Sequence, residues 1–158
     1  MPGMHDICQN ASIECVLDAT DIGGTNATSK YLLMKNFGSV SFIAQLGLTL
    51  EGTPDNWSTT DSLDNFYLLQ ATDAAGSGAK IIAGANLDQT DAQTGAAGDI
   101  HYITINSEQM DMANDFIYVA AYIVEDTNTA ADFVTIMAAR FNPRYPNDDL
   151  TSDSHTVG

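Results

Sequence analysis

Cations are scarce in this sequence. Lys30, Lys35, Lys80, Arg140 and Arg144 stand against 21 acidic residues, 17 of them Asp, which leaves a formal net charge of −16. Such a field repels nucleic acid and anionic membrane surfaces, and five scattered cations cannot line a phosphate backbone. Neither a nucleic-acid nor a membrane partner is expected. The acidity itself reads as solubility, because Asp-rich loops keep a β protein from associating edge to edge.

Cysteine is nearly absent too. Cys8 and Cys15, with six residues between them, match no zinc pattern, since no second pair and no suitably spaced His follows. They read as two ordinary reduced thiols, although a local disulfide would fit the spacing. No apolar run reaches the length of a membrane span, and residues 1–10 lack both a charged n-region and an apolar h-region, so the chain is expected to be made as a soluble cytoplasmic product.

Catalytic and ligand-binding signatures are missing as well. Gly76-Ser-Gly78 has neither the third Gly of a dinucleotide loop nor the Gly-Lys of a phosphate loop. Asp88, Asp91 and Asp99, like Asp148, Asp149 and Asp153, lack the alternating oxygens, central Gly and terminal Glu of a calcium loop. With 21 carboxylates some pair always lies close by chance, so paired acids carry no specificity for glycoside hydrolysis. His5, His101 and His155 are scattered, and a triad built on one strand His has little support. No catalytic, cofactor or metal residue is therefore assigned, and the chain is not expected to be an enzyme.

What is present is β pattern. From Phe116 to Val124 every residue is apolar or aromatic, as in a strand covered on both faces, and Phe133 to Phe141 is a second run of similar length. A buried helix competes, but the density of Tyr, Phe, Val, Ile and Thr favours strand. With the turn-forming residues 125–131 between them, the two runs read as an antiparallel hairpin of central strands. Ile13, Cys15 and Leu17 alternate with Glu14 and Asp18 in a first, half-buried strand. Tyr31–Met34 and Val40–Leu46 flank Lys35-Asn-Phe-Gly38 and read as a second hairpin. Asn65–Gln70, Ala79–Ala83 and Ile100–Ile105 add strands, 85–99 is a long loop, and Ser107 is a plausible cap for one helical turn over 107–112.

About eight short strands with no long helix and no repeat predict an all-β chain, a β-sandwich of jelly-roll or Ig-like type. A chain of 158 residues is enough for one such domain. The organisation expected is a flexible arm at 1–11, the sandwich at 12–146 and a polar acidic tail at 147–158.

Aromatic and Arg residues anchor interfaces, which singles out Trp57, Arg144 and Tyr145, together with Tyr118 and Tyr122 of the doubly apolar strand. Trp57, Tyr67 or Tyr102 would also suit stacking on a sugar ring. If each doubly apolar strand uses one face for its own core, part of the other needs a neighbour, so self-association is expected.

At Ser29-Lys-Tyr-Leu-Leu-Met-Lys-Asn-Phe-Gly38, Gln70-Ala-Thr-Asp73 with Gly78-Ala-Lys80, Asp111-Met-Ala-Asn114, Ala131-Asp-Phe133 and Pro143-Arg-Tyr145, the chain resembles small structural virion proteins of tailed bacteriophages, capsid decoration or cement proteins among them. The resemblance spans roughly Ser29 to Tyr145 in scattered blocks, none of them catalytic, and leaves out the N-terminal part with Cys8 and Cys15. It implies a β-sandwich at the capsid surface of a virion, bound to the major capsid protein as a homotrimer, with no cofactor. A receptor- or glycan-binding module of a phage tail or fibre is the alternative.

Overall fold

Nine strands build two antiparallel sheets in the computed structural model, which describes residues 11–22, 25–46, 66–87, 100–124 and 133–143. They are β1 (Ala11–Asp21), β2 (Asn26–Thr28), β3 (Leu32–Leu33), β4 (Phe37–Leu46), β5 (Phe66–Ala71), β6 (Lys80–Leu87), β7 (Ile100–Asn106), β8 (Tyr118–Val124) and β9 (Phe133–Pro143). The first sheet runs β1, β9, β4, β7; the second runs β2, β8, β5, β6, with β3 also paired to β8. When β2 and β3 are counted as one interrupted strand, the order is the jelly roll of two interlocked Greek keys, not the ABED and CFG grouping of an immunoglobulin sandwich.

The core lies where the inward parities of the two sheets meet. Val40, Phe42 and Ala44 of β4 and Val134, Ile136 and Ala138 of β9 face Phe66 and Leu68 of β5 and Val119, Ala121 and Ile123 of β8. Period-two alternation puts each set on one side of its sheet, and fully burying one such large apolar side chain contributes about 1.5–3 kcal/mol.

Both long apolar runs are central strands, as expected: β8 lies between the β2/β3 strand and β5, and β9 between β1 and β4. They do not form a hairpin. β8 belongs to the second sheet and β9 to the first, so the chain crosses the sandwich between them. The other expected hairpin fails in the same way. Leu32 and Leu33 pair with Val119 and Tyr118 in the second sheet, whereas β4 pairs with β7 and β9 in the first. A turn signal reports that the chain reverses, but each of these turns swaps sheets. The hairpin of β5 and β6 is real, with Asp73 Oδ1 accepting from the backbone N–H groups of Ala75 and Ser77 at 2.9 and 3.0 Å.

The break between β2 and β3 has a local cause. Ser29 donates its N–H to the Ala121 carbonyl and accepts the Ala121 N–H on its hydroxyl, while the Lys30 N–H turns to the Val16 carbonyl of β1 in the other sheet. The next residue, Tyr31, lays its ring against Gly76, where φ is 83° and an added Cβ would stand 2.7 Å from that ring. A second positive φ, 74° at Gly84, falls in the part of β6 where its register with β5 shifts, as a bulge requires. The helical turn after β7 is a pair of 3-10 turns, Ser107–Gln109 and Met112–Asn114. The cap is Asn106 in place of Ser107, and the Gln109 side chain accepts the Asn106 N–H at 2.9 Å. Residues 85–87, expected in the long loop 85–99, belong to β6, and Ala11, expected in the arm 1–11, opens β1; residues 1–10, 88–99 and 144–158 lie outside the described residues.

Candidate docking surface

The outward parity of the first sheet is the most open apolar surface among the described residues. Register sets its rows: Ile13, Ala139, Ser41 and Thr104 stand side by side across the four strands, and Cys15, Met137, Ile43 and Tyr102 form the next row. Thr135, Gln45 and Ile100 follow. Ile13, Met137, Ile100 and Tyr102 are 58%, 43%, 60% and 66% exposed, and no side chain in these three rows carries a formal charge. The Ser41 and Thr104 hydroxyls bond to each other at 2.7 Å and tie β4 to β7.

The second sheet turns a different surface outward. Thr28, Tyr122, Tyr67 and Asn86 share one row, and the Tyr67 and Tyr122 rings lie 4.8 Å apart at a 34° tilt. Both tyrosines are half-buried, as is Tyr118, and Ala120 between them on β8 is fully buried although it has outward parity.

Charge is held at the margins. Arg140 closes one corner between the sheets: it donates to the Leu33 carbonyl at 3.0 Å and to Glu14 at 2.9 Å, and stacks over the Phe37 ring at 4.4 Å. Lys30 bonds the other Glu14 oxygen at 3.0 Å. At another corner Lys80 pairs with Asp111 at 2.6 Å and sits 3.7 Å from the centre of the Phe116 ring. The hydrogen bond from Lys80, then that from Asn114, holds the Asp111 carboxyl below its ordinary value. The side-chain and backbone hydrogen bonds from Ser77 do the same for Asp73. Cys15 is a free, exposed thiol, and desolvation followed by its contact with Asp18 pushes its pKa up, which makes it a poor nucleophile.

Among the described residues no three His, Cys, Asp or Glu side chains group as metal ligands, and no helix is long and apolar enough to cross a membrane. Of the expected interface residues, Tyr118 and Tyr122 lie on the outward side of β8, whereas Trp57, Arg144 and Tyr145 lie outside the described residues. Tyr67 and Tyr102, grouped as sugar-stacking candidates, are on opposite sides of the sandwich. His101 has inward parity, opposite Ala44.

No family model, curated protein or solved structure matches this chain.

Sequence reasoning passed over Ile13, Ile43, Ile100 and Met137 because it looked for aromatic and Arg anchors. Their signal was the second apolar parity of β9, which becomes a surface once register places Ile43, Tyr102 and Ile13 beside it.

Proposed function

We propose that this chain is a structural virion protein of a tailed bacteriophage, a decoration or cement protein that seats on the outside of an assembled capsid and stabilises contacts between major capsid protein subunits. It is made in the host cytoplasm, carries no chemistry of its own and works as part of the capsid surface. The observation that carries this reading is the uncharged, open apolar face of β1, β9, β4 and β7 on a chain of net charge −16. An extended sheet face of this kind suits a broad protein partner better than a small ligand, which needs a concave site. Jelly rolls recur in viral capsid and lectin domains, a fold-level analogy that is compatible with the reading without deciding it. Repetition over a lattice supplies avidity even where each contact is weak.

The test is co-sedimentation of the purified chain with assembled, undecorated shells and, separately, with unassembled capsid subunits. Binding to shells that Met137→Glu weakens at least tenfold is the expected result. Equal binding of the variant, or no binding to shells, overturns the reading. Mass spectrometry of virions is expected to find hundreds of copies.

The Thr28, Tyr122, Tyr67 and Asn86 row supports a second reading, a glycan-binding module of a tail or fibre, because stacked rings flanked by a hydroxyl and an amide match the faces and edges of a sugar. A glycan array separates the two, since Tyr122→Ala abolishes sugar binding and leaves shell binding intact.

A further inference from the structure

We infer that β7 is a pairing edge that takes β7 of a second copy of this chain, joining two first sheets into one continuous antiparallel sheet. The inference stands independently of the capsid reading.

A sheet edge presents unpaired backbone donors and acceptors, and proteins protect such edges with charge, bulges, Pro or shortness. Comparison of the edges in this sandwich isolates β7. β1 carries Glu14, Asp18 and Asp21 and has two register shifts against β9. β6 carries Lys80 and is broken by the irregularity around Gly84. β2 and β3 are three and two residues long. β7 has none of these devices: its seven residues, Ile100 to Asn106, contain no charged side chain, no Pro and no Gly. They hold unbroken register with β4, the neighbour β7 has among the described strands.

Charge selects the occupant. Copies at −16 repel one another over most approaches, and β7 is the one long edge among the described strands that is both unbroken in register and free of Asp, Glu, Lys and Arg, since β6 carries Lys80 and the irregularity at Gly84. An antiparallel edge is self-complementary under a two-fold axis, so the same strand serves both subunits. The outward side chains reinforce the pairing. With all seven residues paired, Ile100 would stand opposite Asn106 and Tyr102 opposite Thr104 of the second copy, so Ile100 and Tyr102, 60% and 66% exposed, would extend the open apolar face from one copy into the next. Seven residues give a seam of about 24 Å, at the small end of specific interfaces, so monomer and dimer exchange and the dimer fills with concentration. Added salt screens the repulsion and tightens it.

The test is sedimentation equilibrium at about 100 μM, low and high salt, of the wild type and two variants that change net charge equally: Thr104→Lys on the β7 edge and Ile13→Lys on the far side of the same face. The expected result is a wild-type dimer of 16.8 kDa chains, lost in Thr104→Lys and kept in Ile13→Lys. A wild-type monomer at high salt, a closed trimer such as the resemblance implies, a dimer indifferent to Thr104→Lys, or loss in both variants overturns the inference. Should Thr104→Lys fail to fold, hydrogen exchange on the wild type decides. Backbone amides within 100–106 must slow at least threefold between dilute and concentrated samples, and no such slowing overturns the inference.

Discussion

The outward faces of the two sheets differ although their central strands read alike. β8 and β9 are both apolar on both parities, yet Ala120 on the outside of β8 has no exposed surface and Tyr118 and Tyr122 are half-buried, whereas Met137 on the outside of β9 is 43% exposed, between half-buried Thr135 and buried Ala139, and the flanking β1 and β7 add the more exposed Ile13, Tyr102 and Ile100. β8 settles its extra apolar parity within the chain, through the Tyr67 and Tyr122 ring pair, and among the described residues the exposed large apolar side chain of the second sheet is Ile81 on its edge strand β6, at 56%. The first sheet leaves its extra parity open. A doubly apolar strand therefore signals a central position in a sheet, and only its neighbours decide whether the second face becomes a covered layer or a docking surface.

The largest effect expected breaks this comparison within one strand. Ile136→Ala removes a fully buried side chain and should cost about 2–5 kcal/mol, whereas Met137→Ala, one residue along and outward, should stay within about 0.5 kcal/mol. Urea unfolding of both variants checks the pair, and comparable losses would mean that β9 is covered on both sides. A smaller contrast separates the faces themselves. Tyr122→Ser loses a half-buried ring stacked on Tyr67 and should cost about 1–3 kcal/mol, while Tyr102→Ser should cost less than about 0.5 kcal/mol. Thermal unfolding measures both, and equal shifts would erase the distinction.

The smallest effect is a pH dependence confined to one sheet. Asp73 and Asp111 have folded-state pKa values below their unfolded ones, so each contributes stability that is complete above the ordinary carboxylate value of about 4 and is lost as pH falls through the lowered folded value. Both serve the hairpin end of the second sheet, where Asp111 holds Lys80 and Asp73 organises the turn between β5 and β6. Acid should therefore speed hydrogen exchange in residues 66–87 before it does so in 133–143, and Asp111→Asn should reduce that difference. Acid-induced loosening of β9 first would contradict this placement.

Alternation and β-branched density were enough to place every long strand in the described chain, to make β8 and β9 central and to predict a sandwich, because side-chain parity is a local consequence of the extended backbone. The Asp73 turn between β5 and β6 is local as well, because its residues satisfy their own hydrogen bonds. Pairing was not legible. Residues 125–131 looked like a hairpin loop, and Lys35 to Gly38 like a tight turn, yet both lead from one sheet into the other. Nothing local records whether a returning chain pairs beside its predecessor or crosses the core, since that depends on which arrangement buries the inward parities of all the strands at once. The exposed apolar face of the first sheet depended on the same decision. Ile13, Met137, Ile43 and Tyr102 are scattered over some 125 residues and become neighbours only through the β1, β9, β4, β7 order. The residues determined which side chains lie on each side of a strand, and only the tertiary structure decided which strands stand together, because cross-strand contacts at about 5 Å come from register and sheet order and not from sequence separation.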